Sequence, residues 1–222
     1  MRAPFSIQST KIVLCEGLDE RNLIRRMKAD ELVTNDVQII AFEDLSAGAG
    51  FGALKKSLVA LSGYPDFDKV TSIGILVDND LDHFAAVNAV AQAVQDANAV
   101  VDPAQRFSVP TVPFIKQSGL QVDTLTHFYP GNAGNGCLET TVLAVLSDLH
   151  PAVMNCVDGL INCSGIAWSV TKIHKAKVRS AISVLHEQKP GVALSFVFKD
   201  GLPIIPVSHA AFDPIRAFAQ GV

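Results

Sequence analysis

Short blocks of continuous apolar residues alternate along the chain with longer segments in which apolar residues recur every three or four positions. The short blocks are rich in β-branched residues, which predicts buried strands. They lie at residues 12–15, 37–42, 72–78, 111–115, 123–129 and 192–198. The block at 111–115 is expected at an edge of the sheet, because Pro113 has no N–H to donate to a neighbouring strand.

The longer segments have the spacing of amphipathic helices. They cover about residues 19–28, 53–61, 81–97, 137–149, 152–161, 172–186 and 213–219. Asp19 is predicted to cap the first helix, and Glu20 suits the positive end of its dipole. The alternation predicts an α/β fold with a Rossmann-type, mostly parallel sheet flanked by helices. We expect a single domain over residues 1–222, with a core at about 9–148 and a helical C-terminal extension at about 149–222.

Carboxylates directly follow the first and the third predicted strand. Glu16 comes after the first strand, and Asp78 and Asp80 come at the end of the third. The carboxyl ends of neighbouring parallel strands meet at one edge of a sheet, so these acids are expected to lie together. Mg²⁺ prefers oxygen ligands and keeps several of its waters, so two or three carboxylates suffice to hold it. The pattern predicts a magnesium site, with Glu20 as an outer ligand.

A further acid follows the glycine-rich segment at residues 130–136. Glu139 is expected in the first turn of the helix that begins there. A glutamate in this position commonly only compensates the helix dipole, so the sequence leaves two interpretations open. Glu139 either stabilises its own helix or adds a carboxylate to the predicted metal site.

Composition favours a folded, water-soluble protein. With 222 residues, of which 49% are hydrophobic, the chain can bury a sizeable core, and disorder is not expected. No apolar run approaches the roughly 20 residues that span a bilayer, and the N-terminus lacks a secretory pattern. We therefore expect a cytoplasmic protein without a membrane segment. The cysteines form no C-x-x-C pair, which favours reduced thiols over a zinc site.

The formal net charge of −4 does not draw the chain towards nucleic acid, so any such contact needs a local basic patch. Two predicted helices carry such clusters. The candidates for contact with phosphates are Arg21 and Arg25 on the first helix, and Lys172, Lys175, Lys177 and Arg179 on a later one. Each cluster has a plain alternative as an ordinary solvated helix face.

The order of these acids resembles the Toprim domain shared by topoisomerases, bacterial primases, recombination proteins and the overcoming-lysogenization-defect nucleases. The resemblance is carried by Glu16-Gly17 after a strand and by Asp78-x-Asp80 after a later strand. It extends to a later Gly-x-Leu-Glu, here ending in Glu139, which is found in small stand-alone Toprim-like proteins of uncharacterised function. It covers roughly residues 11–148.

The resemblance implies Mg²⁺- or Mn²⁺-dependent phosphoryl transfer on nucleic acid, DNA or RNA, by a nuclease or a nuclease-like subunit. In Toprim enzymes the residue matching Glu16 is a metal ligand or a proton-transfer group, and those matching Asp78 and Asp80 bind magnesium. Glu20 and Glu139 match the acids that hold a second metal in the overcoming-lysogenization-defect nucleases. These nucleases also use a basic group near the site, for which the candidates are Lys172, Lys175 and Lys177.

Several departures from the family limit the activity. The chain has no topoisomerase-type tyrosine setting, no zinc-binding primase module and no Walker A motif. An ATPase would therefore be a separate partner, and association of the chain as a homo-oligomer stays open. One alternative is a non-catalytic Toprim-fold module that binds a metal, a nucleotide or a protein. A second is a flavodoxin-like receiver domain, against which the Glu16-Gly17 turn argues.

Overall fold

The computed structural model describes residues 5–45, 47–48, 50–79, 82–131, 135–165, 167–187, 189 and 191–222. Within them, one parallel sheet contains β1 (Lys11–Cys15), β2 (Gln38–Ala41), β3 (Ser72–Asp78) and β4 (Asp123–Tyr129), in the order β2-β1-β3-β4. The helices are α1 (Leu18–Ala29), α2 (Leu54–Ser62), α3 (His83–Asn98), α4 (Leu138–Leu149), α5 (Pro151–Cys163), α6 (Val170–Leu185), α7 (Leu194–Asp200) and α8 (Asp213–Gly221). The predicted α/β fold, with a Rossmann-like parallel sheet flanked by helices, is confirmed.

The strands are apolar along most of their length because helices cover both faces of the sheet. Successive side chains of a strand point to opposite faces. Ile12 and Leu14 of β1 therefore pack with α2 and α3, whereas Val13 and Cys15 pack with α1, α4 and the later helices. All these side chains are fully buried, so the first strand contributes to two core layers.

The connections that leave β1 and β3 run to opposite sides of the sheet. From β1 the chain continues through α1 to β2 on one side, and from β3 it continues through α3 to β4 on the other. The gap between β1 and β3 is thus the topological switch point, where open α/β sheets bind their ligands. Cys15 is in register with Leu76, so Glu16 and Asp78 emerge at this point.

The last helix packs directly on the middle of the sheet. Gly74 of β3 leaves room for this helix to approach. A Cβ at Gly74 would lie 2.5 Å from Cγ2 of Val222 and 2.8 Å from Cζ of Phe218. Both of these side chains belong to the same core layer as Val13. The C-terminal extension is therefore built into one face of the sheet.

The prediction of a strand at residues 192–198 was wrong, because this segment contains the start of α7. Leu194, Val197 and Phe198 are buried, and their spacing is that of a helix face. Gly201 ends the helix in the left-handed conformation, with φ of 64°. A short apolar run fits a strand and a helix equally well, and packing against α1 decides between them here.

The prediction of a strand at residues 111–115 was also wrong. Pro113 is followed by Phe114 at φ of 62°, a value that interrupts an extended chain. The segment nevertheless runs beside the edge of the sheet, as expected. The Phe114 N–H donates to the Thr126 carbonyl at 2.9 Å, and Gln117 forms an antiparallel bridge with Thr124.

The other helices lie close to their predicted positions. Leu81, the predicted start of the third helix, lies outside the described residues, and α3 begins at His83. Asp82 caps this helix, since its carboxylate accepts a hydrogen bond of 3.0 Å from the Ala85 N–H. None of the helices in the described part of the chain is both long and apolar enough to cross a membrane.

Gly74→Ala is expected to destabilise the protein by about 1–3 kcal/mol, because the added methyl group displaces α8 from the sheet. The free energy of unfolding in urea measures this loss. Gly159→Ala in α5 is the matched control, since a Cβ there meets no atom within 4 Å. It should raise stability by about 0.5–1 kcal/mol. Equal stability of the two variants would contradict the packing of α8 over β3.

Candidate metal centre

Glu16 and Asp78 are connected at the carboxyl ends of β1 and β3. The Asp78 N–H donates a hydrogen bond of 3.2 Å to Oε2 of Glu16. Oδ1 of Asp78 in turn accepts a bond of 3.0 Å from the Leu138 N–H, the first residue of α4. A carboxylate at a helix N-terminus is favoured by the exposed N–H groups and the helix dipole. These two bonds bring the ends of β1, β3 and α4 together.

Glu139 joins this group from the first turn of α4. Asp78, Cys137 and Glu139 each offer a ligand atom, and these atoms lie within 4.8 Å of one another. The start of α4 is fixed by Thr140, whose hydroxyl accepts a bond of 3.2 Å from the Cys137 N–H. Gly136 precedes it at φ of 151°, and a Cβ there would lie 2.5 Å from Oγ1 of Thr140. The turn into α4 thus requires glycine.

Glu20 is the most buried of the acids, with 8% of its surface exposed. Its carboxylate folds back over Gly17, where a Cβ would lie 2.9 Å from Oε2 of Glu20. Burial, together with the charges of Asp19, Glu16 and Glu139, raises the pKa of Glu20 to about 8. The charges of these acids therefore act on Glu20. The end of β1 and the first turns of α1 and α4 bring the four acids into one electrostatic cluster.

Burial and nearby negative charges also act on Asp78. Burial and then the charges of Glu20, Glu16 and Glu139 raise the pKa of Asp78 well above its usual range. Lys175 of α6 opposes this rise. We call Glu16, Asp19, Glu20, Asp78 and Glu139 the acid cluster. Burial and like charge thus favour the protonated forms of Glu20 and Asp78, and a bound cation would favour their charged forms.

Asp19 is part of this cluster, and its predicted role as a helix cap was wrong. The N-cap residue of α1 is Gly17, and no side chain caps this helix. Burial and the charge of Glu139 raise the pKa of Asp19, whereas the hydroxyl and N–H of Ser195 donate to its carboxylate. Ser195 lies in α7, and its carbonyl accepts a bond of 3.0 Å from the Asn22 amide. Because the sequence predicted a strand at residues 192–198, it did not indicate that Ser195 approaches Asp19.

The donor set of the cluster fits Mg²⁺ or Mn²⁺. Its carboxylates supply the hard oxygen ligands that these ions prefer. Cys137, which the sequence did not single out as part of the site, lies beside them, but burial and the charges of Glu139 and Asp78 raise its pKa to about 12. Asp78 and Glu139 are the carboxylates that would hold the ion, and the charges of Glu16 and Glu20 act on Asp78. Asp80, also predicted as a ligand, lies outside the described residues.

Tyr129 is a second neighbour of the cluster that the sequence did not indicate. It ends β4, its side chain is fully buried, and its hydroxyl has no hydrogen-bond partner among the described residues. Burial and the charge of Glu20 raise the pKa of this hydroxyl well above its usual range. The Tyr129 hydroxyl therefore stays protonated and uncharged, and the side chain lies beside the acids.

The predicted lysines of α6 differ in their surroundings. Lys175 lowers the pKa of both Asp19 and Asp78, so its charge acts on the cluster. Lys177 forms an ion pair of 2.8 Å with Asp158 of α5. Lys172 and Arg179 are exposed on the same helix. The helix thus presents Lys175 to the acids.

The arginines of α1 bind other parts of the protein. Nη1 of Arg21 forms an ion pair with both carboxylate oxygens of Asp44, at N···O distances of 2.6 and 2.8 Å. Arg25 donates a bond of 2.9 Å to the carbonyl of Ile39 in β2. Both contacts attach α1 to β2 and the turn that follows it.

Comparisons with protein-family models, with curated proteins and with solved structures found no match to this chain. The chemistry of the acid cluster is thus the basis for a proposed function.

Without a cation, the protein is expected to lose stability as the pH rises from about 5 to about 8. Glu20 keeps its proton up to a pH of about 8 in the folded state, whereas in the unfolded chain its carboxyl group has already released it. The raised pKa of Asp78 acts in the same direction. We expect a loss of about 1 kcal/mol or more, measured by urea unfolding in EDTA.

Glu20→Gln should flatten this pH dependence, because the amide carries no charge at any of these pH values. Glu43→Gln, at an exposed position outside the cluster, is the control and should leave it unchanged. Millimolar MgCl₂ should restore stability more at pH 8 than at pH 5. A pH profile that Glu20→Gln does not alter would contradict the burial of this carboxylate among like charges.

Proposed function

We propose that this protein carries out Mg²⁺-dependent phosphoryl transfer on nucleic acid, as a nuclease or a nuclease-like subunit with a Toprim-type site. The observation that carries the proposal is that Asp78 and Glu139 offer ligand atoms within 4.8 Å of one another at the switch point, where the charges of Glu16 and Glu20 also act on Asp78. Buried carboxylates that raise one another's pKa make a site for a divalent cation. The order of these acids is that of the Toprim pattern.

The residues of the chain divide into ion-binding and substrate-binding groups in this proposal. When bound, Mg²⁺ would balance the charge on phosphate oxygens and on the attacking and leaving oxygens. The Asp78 N–H orients the Glu16 carboxylate through Oε2, so Glu16 is held as a ligand or a proton acceptor. The Leu138 N–H orients Asp78 in the same way. Lys175, whose charge reaches the cluster, is the group that would bind a phosphate oxygen.

A second candidate function is a non-catalytic module that binds a metal, a nucleotide or a protein. It is favoured by the contacts of the basic residues, since Arg21 binds Asp44, Arg25 binds a β2 carbonyl and Lys177 binds Asp158. These three cations are engaged within the protein, which leaves them less available to the phosphates of a nucleic acid. A separate ATPase partner and a homo-oligomer also remain predictions.

Purified protein is expected to cleave DNA or RNA only in the presence of Mg²⁺ or Mn²⁺. Single-stranded, duplex and supercoiled DNA and single-stranded RNA would be tested separately. Asp78→Asn should lower the cleavage rate by roughly 100-fold or more, because it removes a ligand charge while an amide oxygen can still accept from Leu138. Asp123→Asn is the matched control, since Asp123 begins β4 and so lies at the amino-terminal end of the strands, opposite the end that carries Asp78.

The outcome also separates the two candidate functions. Stoichiometric Mg²⁺ or Mn²⁺ binding in calorimetry, without cleavage of any substrate, would support the non-catalytic module. Cleavage that persists in Asp78→Asn would come from another site or a contaminant and would overturn the nuclease proposal. Absence of metal binding would remove both candidates.

Lys175→Met is expected to reduce cleavage by about tenfold or more without weakening cation binding, because it removes a positive charge that would bind phosphate but no ion ligand. Calorimetry with Mn²⁺ and cleavage rates measure the two effects separately. Lys172→Met is the control on the same exposed helix and should behave as the unaltered protein. If Lys172→Met is the more damaging change, then Lys175 is not the phosphate-binding group.

A further inference from the structure

Three aromatic side chains are exposed in the described part of the chain. They are Phe84, Trp168 and Phe196, with 79%, 40% and 48% of their surface accessible to solvent. Single exposed apolar residues are common on protein surfaces and need no explanation. These three, however, come from three separate segments, and the contacts of neighbouring residues place each segment at the carboxyl ends of the strands, where the acid cluster lies.

Phe196 lies in the first turn of α7, close to the acid cluster. The preceding residue, Ser195, donates to the carboxylate of Asp19. At the other end of α7, Gly201 lies against the side chain of Arg26, near the end of α1. Because both ends match in this order, α7 runs parallel to α1 and begins at the same edge of the sheet.

Trp168 lies in the connection between α5 and α6. Nδ1 of His174, early in α6, forms a hydrogen bond of 2.9 Å with the hydroxyl of Thr140 in the first turn of α4. Near the other end of α6, Val184 lines a surface groove with Ala152, at the start of α5 and just after the end of α4. Helix α6 therefore runs parallel to α4, and Trp168, which precedes it, lies beyond the start of α4 on the solvent side.

Phe84 lies in the first turn of α3, which packs on the opposite face of the sheet from α6 and α7. Its neighbour His83 places Nδ1 at 2.8 Å from Oδ1 of Asn79, the residue that follows Asp78. The His83 ring also packs edge-on against Phe128 near the end of β4. Exposed rings are thus present on both sides of the acid cluster.

The helices on one side of the cluster also carry positive charge. Residues 170–200 contain six lysines and arginines and two acids, a formal charge of +4 in a chain whose net charge is −4. The charge of Lys175 acts on Asp78, and Nζ of Lys199 lies 5.6 Å from the centre of the Phe196 ring. Cations close to exposed aromatic rings form surfaces that bind phosphates and stack bases.

We propose that the substrate of the acid cluster is a single-stranded nucleic acid, whose bases stack on Phe84, Trp168 and Phe196. Its phosphates contact Lys175 and Lys199. A base can stack on a protein ring only where its own face is free, which excludes the interior of a duplex. This inference rests on the proposed function, because it names the substrate of that site, but binding can be measured without cleavage.

Binding is measured in EDTA, so that cleavage does not contribute. The probes are labelled dT and rU strands of about 12 nucleotides, within the range of single-strand site sizes, and a DNA duplex of equal length. In fluorescence anisotropy, at least one single strand should bind about tenfold or more tightly than the duplex, the contribution of one stacked base. A duplex that binds as tightly, or single strands that do not bind with Kd below about 100 µM, would overturn the inference.

Trp168 is the only tryptophan of the chain, so selectively excited tryptophan fluorescence reports on it alone. A base that stacks on the indole ring quenches its emission. Addition of the single strand that binds should therefore lower the emission until the site is saturated. Binding that leaves the emission unchanged would show that Trp168 is not part of the surface and would contradict the inference.

Substitutions at exposed positions test each ring. Phe84→Ala, Trp168→Ala and Phe196→Ala should each weaken binding of the single strand by about fivefold or more, because each removes one stacking surface. Trp168→Phe keeps a ring and should retain most of the affinity. Val184→Ala is the matched control, since Val184 is an exposed apolar residue at the far end of α6. Unchanged binding in the three alanine variants would overturn the inference.

Cleavage assays in Mg²⁺ separate this inference from the proposed function. Single-strand binding that depends on the three rings, without cleavage of any substrate, would support the binding surface and count against the nuclease. Cleavage that is lost in Asp78→Asn but acts equally on duplex and single strands would support the nuclease and overturn the inference about its substrate.

Discussion

Repulsion among buried carboxylates is the constraint on which the architecture around the switch point depends. Glu20 and Asp78 are desolvated and close to like charges, which raises the pKa of both. The fold counters this repulsion with directed donors: the N–H groups of Asp78 and Leu138, the N–H and hydroxyl of Ser195, and the charge of Lys175. Removing these donors would leave the charges uncompensated.

The donors come from distant parts of the chain, so the site depends on the whole fold. Ser195 and Lys175 lie in α7 and α6, which belong to the C-terminal extension. The acids themselves lie at the ends of β1 and β3 and in the first turns of α1 and α4. The chain from β1 to the first turn of α4 supplies the carboxylates, and the later helices supply part of their compensation.

Much of the sheet could be predicted because a parallel strand covered on both faces must be apolar. β1, β3 and β4 therefore stand out, and the position of Glu16 and Asp78 at one edge follows from topology alone. Residues 192–198 could not be assigned, since a short apolar run has no period of its own. Their misassignment hid the contact between Ser195 and Asp19.

Other features of the site depend on orientation, which the sequence does not specify. Lys172, Lys175 and Lys177 are equivalent as residue types, and only the rotation of α6 against its neighbours directs Lys175 to the acids and Lys177 to Asp158. Cys137 follows no metal-binding spacing, and its proximity to Asp78 arises from the turn at Gly136.

The contact of Phe218 and Val222 with Gly74 has a consequence for folding kinetics. It joins the centre of the sheet to the last helix across most of the chain, and contacts of such long range slow folding. During synthesis, β1 and β3 can pair before α8 emerges, but the part of the sheet around Gly74 that α8 covers stays exposed until then. This interval is when the nascent chain depends most on protection from aggregation.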